Sequence, residues 1–182
     1  MSIRRLNSMR NIGKSRAIVL RKRALPQKDL VVTLFTQEYG KVIVISKGAR
    51  TLASKRASHL QSGNLLEANL ELGDEYAYLK QTSLVSAFGK LKESFPKLQF
   101  LYTFLFVLDR ILPERQQESN VYEQTIRFLS GLSVLESGFG GYTERSLDMI
   151  LGILGYYREQ HIALAPYIEE LLDAKLPLHD II

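Results

Sequence analysis

Alternating apolar and polar positions in the first half of the chain predict short β-strands. Ile18 and Leu20 alternate with Val19, Arg21 and Arg23, a period of two that is typical of a half-buried strand. We therefore expect the two arginines to lie on the opposite face from Ile18 and Leu20.

Four further runs have the composition of strands and are separated by turn residues. They are Leu30–Thr36, Lys41–Lys47, Leu66–Leu72 and Tyr76–Leu79, the last with a possible extension to Phe88. Five short strands of this spacing match the Greek-key barrel of the OB type, and an SH3-like barrel is the alternative that the pattern leaves open. The polar stretch 49–64 is at the upper limit for a structureless loop, so we expect it to be functional or locally helical.

After Gly89 the apolar residues recur at steps of three and four, which predicts helices. One run is apolar on all sides, starts near Pro96 and stops at Pro113, so we expect a central, buried helix. Three more helices are expected to start at a Ser119-Asn120 cap, at Thr143 and after Pro166.

The pattern as a whole predicts an α+β protein of two domains. We expect a flexible basic leader at residues 1–14, an OB-type barrel at 15–89 and an all-α domain at 90–182. The composition of the leader also fits an organellar transit peptide. The apolar run 98–108 is too short to span a bilayer, which takes about 20 residues.

The composition excludes several kinds of chemistry. There is no cysteine, which removes disulfides, thiol nucleophiles and thiolate zinc sites and fits a reducing cytoplasm. The three histidines, His59, His161 and His179, have no ligand spacing. The chain has no Walker A or Gly-x-Ser-x-Gly sequence, and the glycines of 138–141 are expected to form a flexible connection between helices. We predict no catalytic site, metal or cofactor.

The charge is divided unevenly along the chain. Residues 1–60 contain 14 Lys and Arg against two acids, Asp29 and Glu38, whereas residues 61–182 contain 10 against 17. A basic first third indicates an anionic partner, and nucleic acid is the one we favour. An acidic membrane surface is less suitable because no helix has a basic amphipathic face.

The candidate DNA-binding residues lie on the first and third strands and on the loop that follows. Their cationic groups would neutralise phosphates, and a barrel would bring them to one side. They are Arg21, Lys22, Arg23, Lys41, Lys47, Arg50, Lys55 and Arg56. Tyr76 and Tyr78 share a sheet face and are candidates for base stacking, although we expect that face to be the core. An RNA-binding barrel and a protein scaffold without nucleic acid remain open.

The same residues resemble the N-terminal domain of the RecO family. The likeness runs from Ala17–Leu20 through Asp29–Thr36 and Gly40-Lys41 to the segment Lys47-Gly48-Ala49-Arg50, and Ser146–Tyr156 resembles the family's helix ending in Leu-Gly-Tyr. Two features depart from the family: Gln27-Lys28 precede Asp29 where an acid is usual, and the four-cysteine zinc module of many members is missing after Tyr156.

The resemblance implies a cytoplasmic, nucleoid-associated bacterial protein of DNA repair and homologous recombination. Such proteins bind single- and double-stranded DNA, anneal complementary strands and act with RecR, single-stranded DNA-binding protein and the recombinase RecA. None of these partners follows from composition or periodicity.

Overall fold

A closed barrel forms the first half of the protein in the computed structural model, which describes residues 11–51, 54, 56–73, 76–159 and 161–177. Its strands are β1 (Asn11–Ala24), β2 (Leu30–Thr36), β3 (Gly40–Ser46), β4 (Leu65–Leu72) and β5 (Ala77–Ser86). Neighbours follow the order β1-β2-β3-β5-β4, with β4 returning to β1. All pairs are antiparallel except β3 with β5. This arrangement confirms the OB-type barrel and excludes the SH3-like alternative.

Strand β1 differs from its prediction in two ways. It begins at Asn11, inside the segment expected to be a leader, and its first residues pair with β4. Its register with β2 also shifts between Val19 and Arg21, so Leu20 forms a bulge. The bulge turns Arg21 towards the face that carries Ile18, which is opposite to what strict alternation predicted. The remainder of the expected leader, residues 1–10, lies outside the described residues.

Where the helices cover the barrel, its strands are buried on both faces. The interior is filled by aliphatic side chains from all five strands, including Val19, Val32 and Leu70. The outward-facing Ile18 and Leu20 pack instead into a second core with the helices. The expectation of a half-buried strand is therefore wrong for β1, because the sequence pattern did not include a domain packed on its outer face.

Helices follow from Gly89 onwards and enclose the second core. They are α2 (Gly89–Lys92), α3 (Phe95–Ile111), α4 (Ser119–Val134), α5 (Phe139–Ile153) and α6 (Leu164–Leu172); the earlier α1 (Arg56–His59) lies between β3 and β4. Helix α3 is the buried central helix that the apolar run predicted, and Phe104 stacks on Phe128 of α4 at 3.7 Å between ring centroids. The two aromatic residues are fully buried and join the two longest helices.

Three predicted helix starts are displaced. The cap of α4 is Glu118 and makes no side-chain hydrogen bond, so Ser119-Asn120 is already helical. Helix α5 begins at Phe139, with Gly138 at φ 71° as its cap, so most of the glycine segment is helix and not a flexible connection. Helix α6 begins at Leu164 and takes Pro166 into its first turn, where the missing N–H costs nothing.

The connection between α3 and α4 covers the exposed edge of β3. Strand β3 pairs with β5 at only two positions, which leaves its first half unpaired on that side. Glu114 forms a bridge with Lys41 there, and the Arg115 N–H donates to the Lys41 carbonyl at 2.8 Å. At Gly40, φ is 66° and a Cβ atom would stand 1.8 Å from the Gln116 carbonyl oxygen, so this contact requires glycine. The edge is thus closed by the chain itself.

Candidate nucleic-acid interface

The turn that follows β3 is held by the loop between β1 and β2. Gly48 takes φ 62° and its N–H donates to Asp29 Oδ1 at 2.7 Å. The Arg50 N–H donates to the Lys28 carbonyl at 2.9 Å, and Ala49 is fully buried in the barrel. The segment Lys47–Arg50 is therefore a rigid turn with the Lys47 and Arg50 side chains exposed on either side of it.

Helix α1 folds back onto this turn. The Arg56 guanidinium donates from Nη2 to the Lys47 carbonyl at 2.8 Å, which uses one of its five N–H donors. Arg50 is anchored in a similar way, with Nη1 3.1 Å from the Leu25 carbonyl. Both guanidinium groups are placed by backbone carbonyls and keep further donors for a ligand.

A groove crosses the barrel beside this turn, and we call it the Tyr78 groove. Its first part is a hollow of about 250 Å³ lined by Ile45, Lys47, Arg56, Glu71, Tyr78, Leu79 and Lys80. Its second part is a hollow of about 470 Å³ lined by Lys14, Arg56, Glu67, Asn69, Lys80, Gln81, Thr82 and Ser83. Arg56 and Lys80 line both parts, so the groove is continuous from Lys47 to Lys14.

Cations outnumber acids in the Tyr78 groove by four to two. The two acids are engaged: Lys14 Nζ lies 2.9 Å from Glu67 Oε2, and Lys80 forms an ion pair with Glu71. Hydrogen bonding to Lys14 lowers the pKa of the Glu67 carboxyl. The lysine side chains stay 65% and 51% exposed, which leaves them open to a further anion.

Tyr78 lies between two of the cations. The Lys47 Nζ atom is 5.1 Å from its ring centroid and the Lys80 Nζ atom is 5.7 Å from it, both within the range of a cation–π contact. The ring faces outwards, because its neighbours Ala77 and Leu79 fill the barrel interior. Tyr76 is 58% exposed. The expectation that the face of Tyr76 and Tyr78 is the core is therefore wrong.

Two of the predicted binding residues contact the helical domain, and one of them is buried there. Lys41 is 8% exposed and its Nζ atom donates to the Asp109 carbonyl at 2.7 Å. Arg21 Nε lies 3.1 Å from Asp109 Oδ2, but the Arg21 side chain stays 66% exposed. Asp109 is in the last turn of α3, where carbonyls lack partners within the helix and cations are favourable. The burial of Lys41 in this contact removes it from the candidate interface.

The remaining predicted residues are spread over the surface. Lys22 bonds to Gln61 Oε1 at 2.9 Å, and burial lowers its pKa. It faces Lys92, whose pKa is lowered to about 8 by burial and then by the charge of Lys22. Arg23 is exposed at the end of β1, and Lys55 lies outside the described residues. Of the eight predicted residues, the structure brings Lys47 and Arg56 together in the Tyr78 groove.

Sequence reasoning missed Lys14 and Lys80. Lys14 was assigned to the leader, and Lys80 falls after the basic first third of the chain. Tyr78 and Lys80 are two residues apart on one strand and therefore lie on the same face. The sequence pattern was enough to predict that Lys80 lies beside Tyr78. Only the closure of the barrel shows that Lys14 lies beside them.

No three His, Cys, Asp or Glu side chains among the described residues are grouped to hold a metal ion. Within the same ranges, no helix is long and apolar enough to cross a membrane.

The fold and the groove define a class of protein: a two-domain chain whose OB-type barrel carries a basic surface groove. Residues 9–88 match the family model described as recombination protein O N terminal. The chain is 28% identical to DNA repair protein RecO of Caldanaerobacter subterraneus subsp. tengcongensis over 143 residues, which cover 79% of this chain and 58% of the relative. For the RecO of Salinibacter ruber the identity is 28% over 151 residues, covering 80% and 58%.

A third relative, DNA repair protein RecO of Symbiobacterium thermophilum, is 31% identical over 105 residues, covering 58% of this chain and 42% of the relative. The chain is thus similar to RecO proteins, and residues 9–88 match the N-terminal domain of that family. It spans less than three fifths of the length of these curated relatives.

Proposed function

We propose that this protein binds DNA without catalysis and acts in DNA repair and homologous recombination. The observation that carries the proposal is the Tyr78 groove, an open channel on an OB-type barrel with Lys14, Lys47, Arg56 and Lys80 along it. OB barrels bind oligonucleotides on the outside of the barrel, and this groove lies on the outside of β4 and β5 beside the turn after β3. Similarity to these relatives adds the biological setting, because they are named DNA repair proteins.

The mechanism that we propose is neutralisation of phosphate charge. Two complementary strands repel each other through their phosphates, and a basic surface that binds both lowers that repulsion and favours pairing. The protein would bind single- and double-stranded DNA and anneal complementary strands. The resemblance extends the proposal to loading of the recombinase RecA, with RecR and single-stranded DNA-binding protein as partners, in the bacterial cytoplasm at the nucleoid.

The experiment is a titration against a labelled single strand, the matching duplex and an RNA of the same sequence at several salt concentrations. Addition of the complementary strand then measures annealing. We expect affinity for DNA that falls with salt and annealing faster than without protein. Tighter binding of RNA than of DNA would support an RNA-binding protein instead. Absence of binding at low salt would overturn the proposal in favour of a protein scaffold.

A further inference from the structure

We propose that Tyr78 is a stacking site for one unpaired base, so that the Tyr78 groove discriminates single-stranded from duplex DNA. This inference rests on the proposed function and specifies the ligand of the same groove. The inference is carried by an outward-facing aromatic ring with two lysine ammonium groups close to it. The Lys47 Nζ atom is 5.1 Å from the ring centroid and the Lys80 Nζ atom is 5.7 Å from it.

The hollow at Tyr78 is suited to an uncharged planar group better than to a phosphate. The Glu71 carboxylate lines it, is only 8% exposed and forms an ion pair with Lys80, so these two charges largely offset each other. This part of the hollow therefore attracts a phosphate less than the exposed cations around it do. The aromatic ring and the aliphatic Ile45 and Leu79 offer apolar contacts to a base.

The cations lie where the phosphates on either side of that base would pass. Lys47 is at the turn after β3, while Lys80 and Arg56 also line the continuing part of the groove towards Lys14. When a base stacks on Tyr78, the Lys47 ammonium group exchanges a cation–π contact for a phosphate, which is a stronger partner for it. Lys80 keeps its ion pair with Glu71 and is 51% exposed, so it can meet a phosphate as well. The ring and its two lysines thus fit a base and its neighbouring phosphates.

Duplex DNA cannot use the ring in this way. Its bases are stacked and paired inside the helix, and exposing one takes a few kcal/mol of unstacking. A duplex would therefore meet only the cations, whereas a single strand would meet the cations and the ring. Base stacking on an aromatic side chain is sequence-tolerant, because every base has a π-face.

The test uses the absence of tryptophan from the chain. Tyr78→Trp provides a sole tryptophan in the groove, and its fluorescence is followed during titration with oligothymidylate and with an abasic oligonucleotide of the same length. We expect quenching by oligothymidylate and little change at saturation with the abasic strand. Unchanged fluorescence at saturation with oligothymidylate would overturn the inference.

A second measurement compares affinities of the folded variants. Tyr78→Ala should weaken binding of oligothymidylate by about 5- to 100-fold and leave duplex binding unchanged, whereas Tyr78→Phe should bind both as the native protein does. Equal weakening for single strand and duplex would contradict the stacking site while leaving DNA binding intact. If the native protein binds neither oligothymidylate nor duplex DNA, the proposed function fails, and the inference fails with it.

Discussion

The two sides of the barrel use the same kinds of residue for different purposes. On the side covered by helices, Lys41 is buried against the Asp109 carbonyl near the end of α3. On the open side, Lys47 and Lys80 lie beside Tyr78 and are exposed. All three cations belong to strands or to the turn after one, so residue type and strand position do not separate a buried cation from an accessible one. The packing of the helices separates them.

The apolar residues divide in the same way. Ile18 and Phe35 point outwards from the barrel and are fully buried, because the helices cover them. On the open side the outward-facing Ile43 is 43% exposed and Ile12 is 74% exposed. The covered side therefore contributes to stability through burial, and the open side is available for ligands.

The largest effect should come from the covered side. Phe35→Ala removes a fully buried ring that meets Tyr122 edge-on at 5.4 Å, so we expect the free energy of unfolding to fall by about 3–5 kcal/mol. Urea denaturation measures this loss. Ile12→Ala, on the exposed side, is the control and should change stability by less than about 0.5 kcal/mol. Similar losses in the two variants would contradict the contrast between the sides.

The next effect separates two lysines that the sequence treats alike. Lys41→Met should lower the free energy of unfolding by about 1.5–3 kcal/mol, because the Asp109 carbonyl loses a buried charged donor. Lys47→Met should leave stability nearly unchanged and reduce the salt dependence of single-strand binding by about 0.7 in slope. Denaturation and salt titrations of both variants give the comparison. A Lys41→Met protein that is as stable as the native one but no longer binds DNA would contradict the assignment of Lys41 to stability and Lys47 to binding.

The smallest effect concerns pH at the junction between barrel and helices. Burial lowers the pKa of Lys92 to about 8 from its ordinary 10.5, so the unfolded state binds more protons between these values and stability should rise with pH in that window. Lys92→Met removes this contribution. The native protein should therefore gain stability relative to the variant from pH 7 to pH 10, as measured by denaturation. If the free energies of unfolding of the native protein and of Lys92→Met change with pH in parallel, the pKa of Lys92 is not lowered by burial.

Much of the barrel could be predicted from sequence because its strands are regular. The runs of strand-like composition located β2 at its observed bounds and β3 and β4 to within one residue. The start of β1 could not be predicted, because Asn11–Lys14 has no strand-like composition and pairs with a strand distant in sequence, β4. The bulge at Leu20, which reorients Arg21, likewise depends on the partner strand and leaves no mark in composition.

The candidate site was harder to predict than the fold. A run of cations indicates an anionic partner, but which of them are accessible depends on the face that the helices cover. The Lys47–Arg50 segment was recognised by resemblance, and the structure adds a physical reason for it in the bond from the Gly48 N–H to Asp29. Lys14 and Lys80, which complete the groove, come from strands distant in sequence.

If nucleic acid binds on the open side of the barrel, two charge-matched variants will differ in their affinity for single strands. One replaces Lys47, Arg56 and Lys80 with glutamine, and the other replaces Lys90, Arg127 and Arg145, three exposed cations on helices. With both proteins shown to be folded, the salt slope of single-strand binding is measured for each. We predict a slope flattened by roughly 2 for the first variant and native behaviour for the second. Equal slopes in the two variants, or a loss confined to the second, would contradict the account.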